Sequence, residues 1–177
     1  VYGGGDPTIS ERFHGDVRTV FRAWADSLRA HGVRRITGAV IGHDDVFDDL
    51  PLGRGWAWDD VADSYSAEVS GLQLNVGFVT VRVAPGPQRA AAVTTRPVSD
   101  EWVPVMGTVW MAPADSAPRV TIERGDSLSG VLVSGTLPAD TAAEQEVSVR
   151  NNTRFFASVL RQALLEAGIG VGGQSMD

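Results

Sequence analysis

The chain has 177 residues, 43% of them hydrophobic, a net charge of −7 and no cysteine; its fifteen basic residues are all arginines, with no lysine among them. That length suits one domain or two small ones, with a core that needs neither disulfide nor metal. The acidic balance, with Arg34-Arg35 the only adjacent basic pair, argues against nucleic acid as a partner, zero cysteines exclude thiol catalysis, and no apolar stretch reaches membrane-span length.

The first segment reads as a helix. Thr8-Ile9-Ser10-Glu11 has the spacing of a capping box, and Phe13, Val17, Val20, Phe21, Trp24 and Leu28 recur at helical intervals. One helix is expected from about Ser10 to His31, burying Phe13, Val17, Phe21, Trp24 and Leu28, with Gly32 as its stop. The run Ile36 to Ile41 follows as a buried strand. From Gly42 to Asp63 the character changes: seven aspartates (44, 45, 48, 49, 59, 60, 63) surround Pro51, Gly53, Gly55, Trp56 and Trp58. This is a structured loop.

Past Ala67 the chain turns to β signals. Leu72 and Leu74, then Phe78 to Val83, read as strands stopped by Pro85-Gly86. Further strands are expected at Ala91–Thr95, Trp102–Trp110, Arg119–Glu123, Gly130–Ser134 and Val147–Val149, and their turn-rich spacing favours an antiparallel sheet. Asn151-Asn152-Thr153 caps a last helix to about Ala167, with Phe155, Phe156, Val159, Leu160, Ala163 and Leu164 on one face. Gly168 stops it, and Ile169 and Val171 resume as a strand. The helix–Gly–strand unit from Leu28 to Ile41 is thus echoed from Leu164 to Val171. The fold class is α/β plus β-rich: a small α/β part over residues 1–66 carrying the Asp/Trp-rich loop, then a β-rich, mainly antiparallel part over 67–177 closed by the C-terminal helix.

Few residues here carry chemistry. Gly3-Gly4-Gly5-Asp6-Pro7 lacks both the P-loop lysine and the dinucleotide glycine spacing, so a glycine turn leading into a helix explains it. His43-Asp44-Asp45 with Asp48-Asp49 lacks the register of a calcium loop and reads as a solvated acidic loop; no metal and no cofactor is expected. No Gly-x-Ser-x-Gly elbow occurs, which leaves a Ser-His-Asp triad without support; His14 and His31 sit at helix positions where solvation or a favourable C-terminal charge accounts for them. The segment Trp56, Trp58, Asp59, Asp60 and Tyr65 admits two readings. In the plainer one, buried indoles pin the loop and the aspartates form turns. In the other, the loop is a lip that presents aromatic faces and carboxylates to a ligand.

In their order, these motifs resemble one family. They are Gly3-Gly4-Gly5-Asp6-Pro7-Thr8, Gly32-Val33, Thr37-Gly38-Ala39-Val40, Asp44-Asp45-Val46-Phe47-Asp48, Gly55-Trp56 and Trp58-Asp59-Asp60. Tyr65 to Leu72, Val81-Arg82-Val83, Pro85-Gly86, Gly135-Thr136-Leu137-Pro138 and Thr153-Arg154-Phe155-Phe156 follow, with Leu164 and Gly168-Ile169 last. The set is similar to the non-catalytic insert of class C low-molecular-mass penicillin-binding proteins, serine D-alanyl-D-alanine carboxypeptidases and endopeptidases of the S13 type. The chain departs from that pattern at Asn75-Val76-Gly77-Phe78, where a polar, asparagine-rich turn is usual, and at Asn152, where proline is common.

The resemblance implies a division of labour. Penicillin-binding proteins work through Ser-x-x-Lys, Ser-x-Asn and Lys-Thr-Gly, and a guanidinium cannot replace the lysine that must lose a proton. Without lysine, and with no Ser-x-Asn, this chain carries no catalytic residue of its own. In the family the insert lies between the first two motifs, and Val1 in place of an initiator methionine suits an excised piece. The parent would hydrolyse the terminal D-Ala-D-Ala bond of peptidoglycan stem peptides in the periplasm or outside the cell. The implied partners are the parent's catalytic domain and a peptidoglycan peptide. Trp56, Trp58, Asp59, Asp60 and Tyr65 are the implied substrate-facing residues. The alternative is a stand-alone extracytoplasmic binding or assembly module with the same fold and no parent enzyme.

Overall fold

Two helices that end alike organise the first half of the fold. The computed structural model describes residues 1–125 and 129–177. Helix α2 (Arg18–Ala30) and helix α3 (Asn152–Glu166) each stop at a glycine in the left-handed region, Gly32 at φ 84° and Gly168 at φ 79°. In each case the next amide reaches back five residues, Val33 N–H to the Leu28 carbonyl and Ile169 N–H to the Leu164 carbonyl. These are Schellman closures, which satisfy otherwise orphaned carbonyls at a helix end.

Each closure delivers the chain into a short strand, and the two strands pair. β1 (Arg35–Ile36) runs parallel to β9 (Gly170–Val171), and β2 (Val40–Ile41) runs parallel to β10 (Ser175–Met176). The echo visible in the sequence is therefore two helix–Gly–strand units laid side by side, with α2 packed on α3. The expected single strand from Ile36 to Ile41 is broken at residues 37–39, where Gly172 and Gly173 donate to the Ile36 and Gly38 carbonyls. A Cβ on Gly172 would lie 2.6 Å from the Thr37 oxygen, so only glycine lets the two backbones approach this closely.

The long first helix of the sequence reading is two pieces. Thr8 does not cap it, because both its amide (2.9 Å) and its hydroxyl (2.7 Å) are bonded to the Asp6 carboxylate. A short α1 (Glu11–His14) forms instead, with the Glu11 amide capped by Asn75 Oδ1 at 3.1 Å. Gly15 then breaks the helix, and Asp16 restarts it by accepting from the Arg18 amide at 2.9 Å. The break resets the phase of the apolar stripe. Val17, Phe21 and Ala25 are fully buried, but Phe13 is left 65% exposed and Trp24 37% exposed, contrary to expectation. Phe21 meets Phe156 edge-on with ring centres 5.0 Å apart, which is how α2 locks to α3.

The β-rich part has two three-stranded sheets. In the first, β3 (Phe78–Ala84) lies between β4 (Ala92–Arg96) and β8 (Ala143–Ser148), both antiparallel to it. Val79, Val81 and Val83 alternate inward and are fully buried. In the second, β7 (Val131–Pro138) lies between β5 (Val105–Ala112) and β6 (Arg119–Arg124). β5 and β6 run in opposite directions, so a strand inserted between them must be parallel to one. β7 is parallel to β5 and antiparallel to β6, a local exception within a mainly antiparallel part. One expected strand is absent, and the one expected from Trp102 starts only at Val105. Leu72 and Leu74 are buried in irregular chain, and Trp102 sits in a turn closed by Val103 N–H on the Ser99 carbonyl.

Helix α3 is buried almost all round, and its Phe155, Phe156, Val159, Leu160, Ala163 and Leu164 belong to one core cluster with Phe21, the β3 valines and Val133. The loop at residues 42–66 is tied to the β-rich part by hydrogen bonds from Ser148 to the Val61 and Ala62 carbonyls. Among the described residues no helix is long and apolar enough to cross a membrane.

Candidate functional site

The Trp56–Tyr65 segment is held by its backbone, not by its indoles. Ser148, at the end of β8, donates its amide to the Ala62 carbonyl at 2.9 Å and its hydroxyl to the Val61 carbonyl at 2.6 Å. Asp63 forms an antiparallel bridge with Val147 in the same strand. These bonds carry a one-turn 3₁₀ segment (Trp58–Asp60) and a second (Ser64–Ser66) away from the core. Trp58 is 85% exposed and Trp56 39% exposed, and among the described residues neither indole N–H donates a hydrogen bond. The plainer sequence reading, a loop pinned by buried tryptophans, is thus corrected. Trp56 rests over Gly53, and Trp58 stands in solvent.

Of the expected residues, the structure joins Tyr65 to the acidic side chains. The Tyr65 hydroxyl donates to Asp63 Oδ2 at 2.8 Å. This bond, with the negative charge of Asp60 and Asp63, pushes the phenol up to about 12, because the carboxylates favour the protonated donor. Asp60 and Asp63 are half-buried, while Asp59 and Tyr65 are exposed. Asp63 was not among the site residues expected from sequence. Its signal was the Asp-x-Tyr spacing, which places a carboxylate two residues before the phenol.

A second feature lies where the acidic loop meets α3. A cavity of about 300 Å³ is lined by Asp44, Asp45, Asp48, Asp49 and Glu68 on one side and by Asn151, Asn152 and Thr153 on the other. Asn151 caps α3 in the left-handed region (φ 51°) and accepts from the Arg154 amide at 2.8 Å. Three acidic side chains answer the positive end of the helix: Asp44 accepts from Thr153 Oγ1, Glu68 from the Asn151 amide at 2.7 Å, and Asp177 from Asn151 Nδ2. Among the described residues no group of three or more His, Asp and Glu side chains could hold a metal ion. The expected solvated acidic loop is therefore tied at Asp44, with Asp45, Asp48 and Asp49 exposed.

The arrangement offers carboxylates, exposed aromatic faces and a hydrogen-bonded phenol. The sequence matches the D-Ala-D-Ala carboxypeptidase 3 (S13) family over residues 1–175. The chain belongs to that family. As an S13 family member it is 26% identical over 188 residues to the D-alanyl-D-alanine carboxypeptidase of Actinomadura sp. (strain R39), an alignment covering 99% of this chain and 34% of that protein. Its fold is similar to penicillin binding protein 4 (dacB) from Haemophilus influenzae, with a TM-score of 0.69, 18% identity, and coverage of 98% of this chain and 37% of that one. The structure of the same protein complexed with a novel β-lactam matches with a TM-score of 0.54 at 15% identity. This S13 chain spans about a third of the length of the relatives it matches.

Proposed function

We propose that this chain is the non-catalytic insert of a serine-type D-Ala-D-Ala carboxypeptidase or endopeptidase acting on peptidoglycan stem peptides outside the cytoplasm. One observation carries the reading: the family match runs over residues 1–175, yet the sequence contains no lysine and no Ser-x-Asn. Activating a serine in this family's manner needs an amine that can lose its proton, and arginine does not. The chemistry then belongs to a catalytic domain of the parent chain, and this segment shapes or positions the substrate cleft. Its loop is suited to that work, since Trp56 and Trp58 present apolar faces and Asp59 and Asp60 present carboxylates beside them. The test is covalent labelling. A fluorescent penicillin is expected to label the parent enzyme at its serine and leave the purified 177-residue chain unlabelled. Labelling of this chain alone would overturn the reading.

A further inference from the structure

One indole grips the start of α3 from two sides. Trp102 Nε1–H donates to the Arg150 carbonyl at 2.7 Å, and the Arg154 guanidinium carbon lies 4.3 Å from the centre of the Trp102 ring. That distance is well inside the range of a cation–π contact, and it restrains a side chain that otherwise has many rotamers. Among the described residues the guanidinium makes no hydrogen bond and no carboxylate lies within ion-pair distance, although Glu101 feels its charge; its Nε is buried without a partner.

The carboxylates beside it are already engaged. Glu101 accepts from the Ser175 amide at 2.8 Å, the Ser175 hydroxyl at 2.7 Å and Arg161 at 3.1 Å. Asp177 accepts from the Asn151 side-chain amide. Arg154 lines a cavity of about 570 Å³ together with Ala39, Gln174, Met176 and Asp177. A cation with unused donors, restrained on an indole in a cavity large enough for an amino-acid derivative, is a receptor for an anion.

We propose that Arg154 anchors a carboxylate-binding site in this cavity. The two terminal nitrogens of a guanidinium match the two oxygens of a carboxylate, and Trp102 holds the group in place, so little freedom remains to be lost on binding. Gln174 adds an exposed amide on the same wall. Nothing in this site depends on the D-Ala-D-Ala chemistry proposed for the parent.

The experiment is a titration of the ¹⁵N-labelled chain with N-acetylalanine and, separately, acetate, with sodium chloride at equal ionic strength as the control. The Trp102 indole signal and the Gln174 and Met176 amide signals are expected to move along a common saturating curve with either carboxylate. Arg154→Gln should weaken that response roughly tenfold or more. Arg154→Lys, which keeps the charge but loses the two-pronged donor, should weaken it too, and it decides the matter if Arg154→Gln fails to fold. A preference for N-acetylalanine marks a peptide C-terminus as the ligand; an equal response marks a bare carboxylate such as an Asp or Glu side chain. Shifts matched by chloride, or unchanged in the Arg154 variants, would overturn the proposal.

Discussion

The hydroxyl of Thr153 donates to the carboxylate of Asp44, tying the first turn of α3 to the acidic loop across 109 residues of sequence. The same hydroxyl accepts from Ser70 Oγ at 2.7 Å, and Ser70 Oγ in turn accepts from the Leu72 amide at 3.0 Å. Thr153 is 1% exposed. One buried hydroxyl therefore joins three segments: the acidic loop, the irregular chain before β3 and the helix.

Thr153→Val keeps the shape and removes the hydroxyl, leaving the Asp44 and Ser70 groups short of a partner. The expected loss is about 1–3 kcal/mol, read from urea unfolding midpoints. A loss of only a few tenths would mean that solvent replaces the bond freely and the loop is not held here.

The core prediction separates residues that the sequence grouped together. Leu160 is 4% exposed and Phe21 fully buried, so Leu160→Ala should cost roughly 2–5 kcal/mol and Phe21→Ala a similar amount. Trp24→Ala should cost less than either, and Phe13→Ala should stay within about 0.5 kcal/mol, because that side chain is 65% exposed. Thermal or urea melts of the four variants decide the order. A large loss at Phe13 would contradict the break at Gly15.

The periodic pattern found both long helices and their glycine stops, since an apolar stripe and a left-handed terminus are local properties. It could not find the break in the first helix. Asp16 reads as an ordinary polar residue, and the group that caps Glu11 is Asn75, brought in by tertiary folding. Strand partners were equally hidden. Arg119–Arg124 is visible as a strand, but the insertion of β7 beside it is a topological fact that no local pattern encodes. For the loop at residues 56–65, the plainer reading of its composition suggested burial for the tryptophans. Their exposure follows from the Ser148 bonds, which hold the neighbouring backbone and leave the rings free.

Acid stability should report on Glu101. Burial opposes its ionisation, but the Ser175 hydroxyl and amide, with Arg161 and Arg154, outweigh burial and hold its pKa below the ordinary 4.5. A carboxylate with a lowered folded pKa contributes stability above its unfolded pKa and loses it as pH falls through the folded one. Glu101→Gln should therefore destabilise the chain at neutral pH and flatten the fall in stability below about pH 4.5. Equal destabilisation of mutant and wild type at every pH would remove Glu101 from the acid limb.

On the proposed function, the exposed loop offers the most direct test in a parent enzyme. Asp59 and Asp60 stand next to Trp58, and a carboxylate in a partly desolvated cleft favours a ligand ammonium far more than one in open solvent does. In this chain Asp59 is exposed and Asp60 half-buried, so on the proposed reading their contribution depends on the parent's catalytic domain closing over them. Asp59→Asn with Asp60→Asn in the full-length enzyme should lower kcat/KM for stem-peptide mimics bearing a free side-chain amine, by about tenfold, the scale set by one lost charge-assisted bond. Mimics with that amine acetylated should change much less. Tyr65→Phe supplies the contrast, because it removes the bond to Asp63 while keeping both nearby charges. If the amine-bearing and acetylated mimics lose efficiency equally in the double variant, the loop acts on the cleft's shape and not on the ligand's charge. If neither changes, the loop takes no part in recognition.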